Sequence, residues 1–311
     1  MNGDAPLTGP GTLEAIAPLR LPKPARVFAR RAERFLALAP GNTLGEYLHL
    51  LGRLAQAQVA ALERMPFDSA ARRSGGTEGA LALPLDAMNH RRDPVWHDLL
   101  ARIVQTMGQG DLPAETRAAL ELLAILPPPE LEALADRVLA NAVIGSDLAA
   151  GPFVAAALQV YFTALAARLD AAAIAPRRDA CPVCGSQPVT GVVLGDDKVR
   201  YLVCSLCASE WHRTRVECTV CEKGANVTYY TVEGDAAAKE PLSRGAARAE
   251  ACSACKVYTK LFYTEKDPAL EPFADDIATL PLDLLMAENG WERHGVNLFL
   301  LPGEVRAPLA S

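Results

Sequence analysis

Apolar residues in the first half of the chain recur at helical steps. After Thr43-x-x-Glu46, the spacing of a capping box, they fall at Leu44, Leu48, Leu51, Ala55, Val59 and Leu62. Steps of three and four place such residues on one face of a helix. A second stripe runs through Val154, Leu158, Tyr161, Leu165 and Leu169, with Asp147 positioned to cap it. Pro94, Pro113 and Pro129 each stand where a first-turn proline opens a shorter helix. From Pro66 to Asp93 the period fades around Ser74-Gly75-Gly76, and the interval reads as a long loop.

Beyond residue 175 the pattern changes to that of strands. Val189–Leu194 and Val199–Val203 flank Gly195-Asp196-Asp197, the composition of a hairpin turn. Asn226–Val232 is β-rich and Lys256–Tyr263 supplies another strand, with a polar, Ala-rich insertion from Gly234 to Glu250 between them. Asp275 and Asp276 then open an apolar helical stretch ending near Asn289-Gly290, in which Pro281 marks a break or a second start. The pattern predicts an α+β multidomain chain: a tail over 1–24, an α-helical domain over 25–175, two modules over 176–216 and 217–266, and a C-terminal helical segment over 267–311.

The cysteines say what the two modules are. All eight lie between Cys181 and Cys255, as the pairs Cys181/Cys184, Cys204/Cys207, Cys218/Cys221 and Cys252/Cys255. Structural disulfides suit neither a reducing compartment nor a 311-residue chain with its own core, and a redox dithiol needs one such motif, not four. Two residues between thiolates let one tight turn offer both sulfurs to a single ion, and two such knuckles complete a tetrahedral four-cysteine shell. All eight are therefore expected to ligate metal, as two tandem rubredoxin-like or zinc-ribbon modules of four cysteines each. Four knuckles allow three pairings. The sequential one joins Cys184 to Cys204 and Cys221 to Cys252 across the intervening strands, and the first interval falls in the range of about 15–20 residues usual for a zinc ribbon. With so little apolar sequence between knuckles, the ribbons are expected to fold through their metal. Replacing Cys181 and Cys184 is then expected to leave residues 1–175 folded.

Composition narrows the function. With 31 Lys+Arg against 37 Asp+Glu the formal charge is −6. From Asp196 to Lys223 five basic residues (Lys198, Arg200, Arg213, Arg215, Lys223) face five acids (Asp196, Asp197, Glu210, Glu217, Glu222), so the ribbons lack the excess of cations that docks on phosphates. Met1-Asn2-Gly3-Asp4 carries an acid where a secretory signal carries Lys or Arg, and Arg30-Arg31, followed by Ala32-Glu33-Arg34-Phe35, reads as a charged helix face. Pro152–Leu169 is interrupted by Gln159, Thr163 and Arg168 and is too short to span a bilayer. A soluble cytoplasmic protein is expected, with no nucleic-acid and no membrane partner.

Catalytic chemistry is thinly represented. His49, His90, His97, His212 and His294 are the five histidines, and none sits in an H-E-x-x-H spacing. His49 reads as an ordinary helix residue and His212 as a strand residue before a donor to a metal thiolate. Asp196/Asp197 and Asp275/Asp276 read as turn and cap residues, and neither a dinucleotide fingerprint nor a phosphate loop occurs. Electron transfer is the stronger rival, because Cys181-Pro182-Val183-Cys184-Gly185 has the form of a rubredoxin knuckle. The other three knuckles continue with Ala208, Glu222 and Lys256 in place of that glycine, which weakens a dedicated redox role. A zinc-ribbon nucleic-acid module is the third reading. Zinc and iron both accept four thiolates.

The knuckle at 181–185, the run Arg200-Tyr-Leu-Val-Cys-Ser-Leu-Cys-Ala-Ser-Glu-Trp-His-Arg-Thr-Arg-Val-Glu-Cys-Thr-Val-Cys-Glu and the run Glu250-Ala-Cys-Ser-Ala-Cys-Lys-Val-Tyr-Thr-Lys resemble the formate dehydrogenase accessory protein family, FdhE. So do Ala274-Asp-Asp-Ile-Ala-Thr-Leu-Pro-Leu-Asp-Leu-Leu-Met-Ala-Glu, Arg30-Arg-Ala-Glu-Arg-Phe-Leu and Leu44-Gly-Glu-Tyr-Leu. The resemblance extends from about residue 20 over nearly the whole chain, with Pro281 a local departure. It implies a cytoplasmic, non-catalytic maturation factor that acts on the catalytic subunit of formate dehydrogenase. It also implies that the eight cysteines bind two metal ions, with iron the favoured metal.

Overall fold

The computed structural model describes residues 16–65, 83–195, 198–232 and 246–300. The Asp196-Asp197 turn, most of the 66–93 interval, the larger part of the 234–250 insertion and both chain ends lie outside them. Six helices form the first half: α1 (Pro24–Leu38), α2 (Gly45–Leu62), α3 (Val95–Met107), α4 (Ala114–Ile125), α5 (Pro128–Leu139) and α6 (Gly151–Ala166). α2, α3 and α5 pack around α6, of which all residues but Pro152 are buried. A helix apolar on nearly every side must be enclosed all round, so the stripe read from the sequence is part of a surface that is apolar apart from Gln159, Thr163 and the Tyr161 hydroxyl.

Two capping expectations are corrected. α2 starts at Gly45 without a side-chain cap, and the Asn42 carboxamide oxygen, not Thr43, accepts from the Leu44 amide. Asp147 closes a 3-10 turn of its own, accepts from the Ile144 amide and pairs with Arg137, while α6 begins only at Gly151. The first-turn prolines do precede or open α3, α4 and α5.

The second half is one sheet. β2 (Pro188–Leu194), β3 (Val199–Cys204) and β4 (Glu210–Arg213) belong to the first ribbon; β5 (Val227–Tyr230), β6 (Ala247–Cys252) and β7 (Val257–Tyr263) belong to the second. The strand order is β1-β4-β3-β2-β7-β6-β5, where β1 is Leu19–Arg20, and β8 (Glu292–Arg293) pairs with β7. The two ribbons therefore repeat the same order side by side and are joined by the parallel β2–β7 pair, Gly191 to Leu261 through Val193 to Tyr263. A Cβ on residue 191 would come within 2.5 Å of Leu261 Cδ2, so any larger residue at that seam would have to displace this buried side chain. β6 falls partly inside the stretch read from sequence as an insertion, and β1 falls inside the stretch read as a tail.

The C-terminal stretch is two helices, α7 (Pro272–Ala278) and α8 (Leu280–Glu288), so Pro281 is a second start. α7 lies between α1 and β2, and it is capped by Glu271 rather than opened by Asp275 and Asp276. Those two aspartates are buried ion-pair partners of Arg34, Lys260 and Arg293. Arg31 is not on a solvated face: it is 1% exposed, pairs with Glu271 and lies over the Phe273 ring. One apolar core runs without interruption from α1 through α6 to the first knuckles, Trp211, Phe262 and α7.

Candidate metal centres

The structure gathers the cysteines sequentially. Cys181, Cys184, Cys204 and Cys207 form one group and Cys218, Cys221, Cys252 and Cys255 the other, with all four sulfurs of each group within 4.8 Å of one another. In the first group Cys181 and Cys207 Sγ are 3.6 Å apart and Cys184 and Cys204 Sγ 3.4 Å; in the second the cross pairs are 4.0 and 3.6 Å. A tetrahedral shell with bonds of about 2.3 Å requires sulfurs about 3.8 Å apart, which both groups approach. Burial pushes the Cys181 and Cys204 thiols well up, so four thiolates can coexist there only around a cation. The residues fit a tetrahedral metal ion.

Local geometry explains the fit. In each knuckle a backbone bond spans the turn or its neighbour: Gly185 N to Cys181 O, Cys204 N to Ser209 O, Glu222 N to Cys218 O and Lys256 N to Cys252 O. The residue after the second cysteine is left-handed every time, with φ of 77° at Gly185, 55° at Ala208, 61° at Glu222 and 59° at Lys256. The missing glycines thus do not alter the turn; three side chains adopt a conformation that costs roughly 1 kcal/mol each. Amides still reach sulfur: Leu206 and Cys207 donate to Cys204 Sγ and Val220 to Cys218 Sγ, each at 3.4 Å.

The two centres differ in access. All four cysteines of the first are buried, whereas Cys221 and Cys255 of the second are partly exposed. The first is closed by residues from the interval read as a loop, where the Leu85 and Ala87 amides donate to the Val183 and Cys184 carbonyls. It is also tied to the helical half by Gln159, whose amide donates to the Ser205 carbonyl at 2.9 Å while its oxygen accepts from Arg31 and Gln58. The Ser209 hydroxyl lies 3.2 Å from Cys207 Sγ. The sequence signal for Gln159 was present, as a lone amide within an apolar run. Ser205 and Ser209 carried no such signal.

The histidines stand apart from both centres. The His212 ring meets the Tyr201 ring edge-on, and burial lowers its pKa. His90 contacts the Tyr161 hydroxyl, His97 pairs with Glu132, and His294 contacts the Asp179 carbonyl. His49 is exposed on α2.

Sequence models of the FdhE family match the chain in succession, the N-terminal model over residues 16–179, the central domain over 180–215 and the C-terminal domain over 216–300. A protein FdhE homolog of Edwardsiella ictaluri is 40% identical over 307 residues, 94% of either chain. A protein FdhE homolog of Klebsiella pneumoniae is 37% identical over 302 residues, again 94% of either chain. The crystal structure of the FdhE protein from Pseudomonas aeruginosa is similar at a TM-score of 0.78 and 33% identity, over 92% of this chain and 99% of that one.

Proposed function

Since the chain belongs to the FdhE family, we propose that it is an accessory protein of formate dehydrogenase that binds the enzyme's catalytic subunit in the cytoplasm and carries out no catalysis of its own. The observation that carries this reading is the family match along 16–300 together with two four-cysteine groups at the matched knuckles. Among the described residues no helix is long and apolar enough to cross a membrane, which suits that setting.

In this reading Cys181, Cys184, Cys204 and Cys207 hold one metal ion, and Cys218, Cys221, Cys252 and Cys255 hold the other, iron being favoured by the resemblance. Each bound ion supplies a cross-link between two knuckles. The chain's own part is to exclude water from the first centre, to donate amides to the Cys204 and Cys218 sulfurs, and to hold the joined ribbons rigid as a docking platform. A factor that must release its client is expected to bind with micromolar affinity, about −8 kcal/mol. Mixing the anaerobically purified chain with the catalytic subunit in a calorimeter checks this. Saturable binding at one to one with two metal ions per chain is expected; absence of binding at 100-fold that concentration overturns it.

A further inference from the structure

We propose that the cleft bounded by β1, the start of α1 and the second knuckle is a binding site for a small phosphorylated ligand of nucleotide size. The cavity measures about 600 Å³, within the range of small-molecule sites. Its basic lining is Arg20, Lys23, Arg26 and Arg30, together with Arg31. Of its two acids, Glu271 is already used: one oxygen pairs with Arg31 and the other caps α7 through the Phe273 and Ala274 amides. Glu210 stands 3.8 Å from Arg20. Four cations against one carboxylate leave an excess of three positive charges in a chain whose formal charge is −6.

The placement of those cations is electrostatically unfavourable as it stands. Lys23 is the N-cap of α1, offers no acceptor to the first-turn amides, and is followed by no acid in that turn. Cations at the positive end of a helix dipole repel it, whereas an anion there is stabilised by both. The Lys23 and Arg26 side chains make no hydrogen bond or ion pair among the described residues, and Arg30 spends one N–H group on the Leu270 carbonyl. These groups share the need for an anion. Phosphate answers it best, since the guanidinium fork matches its oxygens.

The body of the ligand follows from the apolar part of the lining. Leu21, Val27 and Leu194 line the cleft beside the charges, so an amphipathic molecule fills it better than a bare ion. A concave site of this size, in place of an extended basic stripe, favours a small molecule over a nucleic acid. Ala208, directly after Cys207, is also in the lining, so the ligand would lie against the first metal centre. None of these contacts depends on which protein is the client.

Titrating the full metal-loaded chain with ADP, pyrophosphate and a hexaglutamate peptide tests it. ADP is expected to bind saturably in the micromolar range and to raise the melting temperature. Replacing both Lys23→Ala and Arg26→Ala should weaken ADP at least tenfold, while Arg102→Ala, on α3, leaves it unchanged. Because both replaced residues are exposed, the unliganded double variant should melt no lower than the parent. Binding of neither phosphate probe at millimolar concentration, unchanged affinity in the double variant, or binding of the acidic peptide alone overturns the proposal.

Discussion

Replacing Cys181 and Cys184 by Ser is expected to remove one metal ion per chain and to unfold most of the molecule, whereas Cys221→Ser with Cys255→Ser removes the other ion and spares the helical half. A metal centre of four cysteines contributes on the order of 10 kcal/mol to folding, comparable with the roughly 5–15 kcal/mol that holds a whole domain. Where that energy is lost decides how far the damage spreads. Cys181, Val183, Cys184, Leu206 and Cys207 belong to the same core as α1, α6 and α7, and Gln159 bonds directly to the Ser205 carbonyl. Among the described residues of the second ribbon only Phe262 is buried in that core; Ala249, Ala251 and Tyr258 cluster with Leu282 and Met286 of α8, and Leu261 and Tyr263 with Val193. The helical half and the first ribbon thus share one core, and the two variants separate that arrangement from the expected N-terminal domain that folds by itself. Metal analysis with limited proteolysis distinguishes the cases, and equal protection of residues 16–175 in both variants would contradict the shared core.

Asp276→Ala is expected to destabilise the fold by about 3–5 kcal/mol, the range for removing one partner of a buried charge network. Lys260, buried completely, places its ammonium 2.9 Å from Asp276 Oδ1 and also bonds Asp283 and the Thr279 hydroxyl. Arg293 and Asn297 donate to the same Asp276 carboxylate at 2.7 and 2.9 Å. Without Asp276, two cations face Asp283 alone. Burial by itself would raise the Asp276 pKa, but Arg293 and Lys260 hold it below the ordinary aspartate value. A carboxyl lowered on folding contributes its stability in full above its unfolded value, about 4, and loses it as pH falls through the lower folded value. Urea titrations across this acid range should show the parent losing stability more steeply than Asp276→Asn. A variant within about 0.5 kcal/mol of the parent, the usual range of an inconsequential surface change, would contradict the network's role. So would a variant with the parent's acid slope.

What the sequence disclosed was local. A Cys-x-x-Cys turn is specified by four adjacent residues, and β2 and β3 by β-branched and apolar runs around one Gly-Asp-Asp turn, so both are readable without tertiary context. α6 is legible as apolar, and its single Gln159 marks a polar duty. β6 is not legible: Ala247-Arg-Ala-Glu-Ala-Cys has weak strand propensity and becomes a strand by pairing with β5 and β7. Arg31 and Arg34 read as a charged helix face and Asp275 and Asp276 as helix caps because their partners lie far along the chain, as Arg34 and Asp275 do from opposite ends of it. Nor does a one-dimensional reading bring Arg20, at the edge of the sheet, beside Ala208 of the second knuckle.

The central claim, that this chain is needed to make formate dehydrogenase active, is tested most directly by deleting its gene and measuring formate oxidation alongside the amount of catalytic polypeptide. The account predicts that oxidation is lost while the polypeptide still accumulates, and that the intact gene, but not the Cys181→Ser, Cys184→Ser form, restores it. Normal formate oxidation in the deletion strain would contradict it.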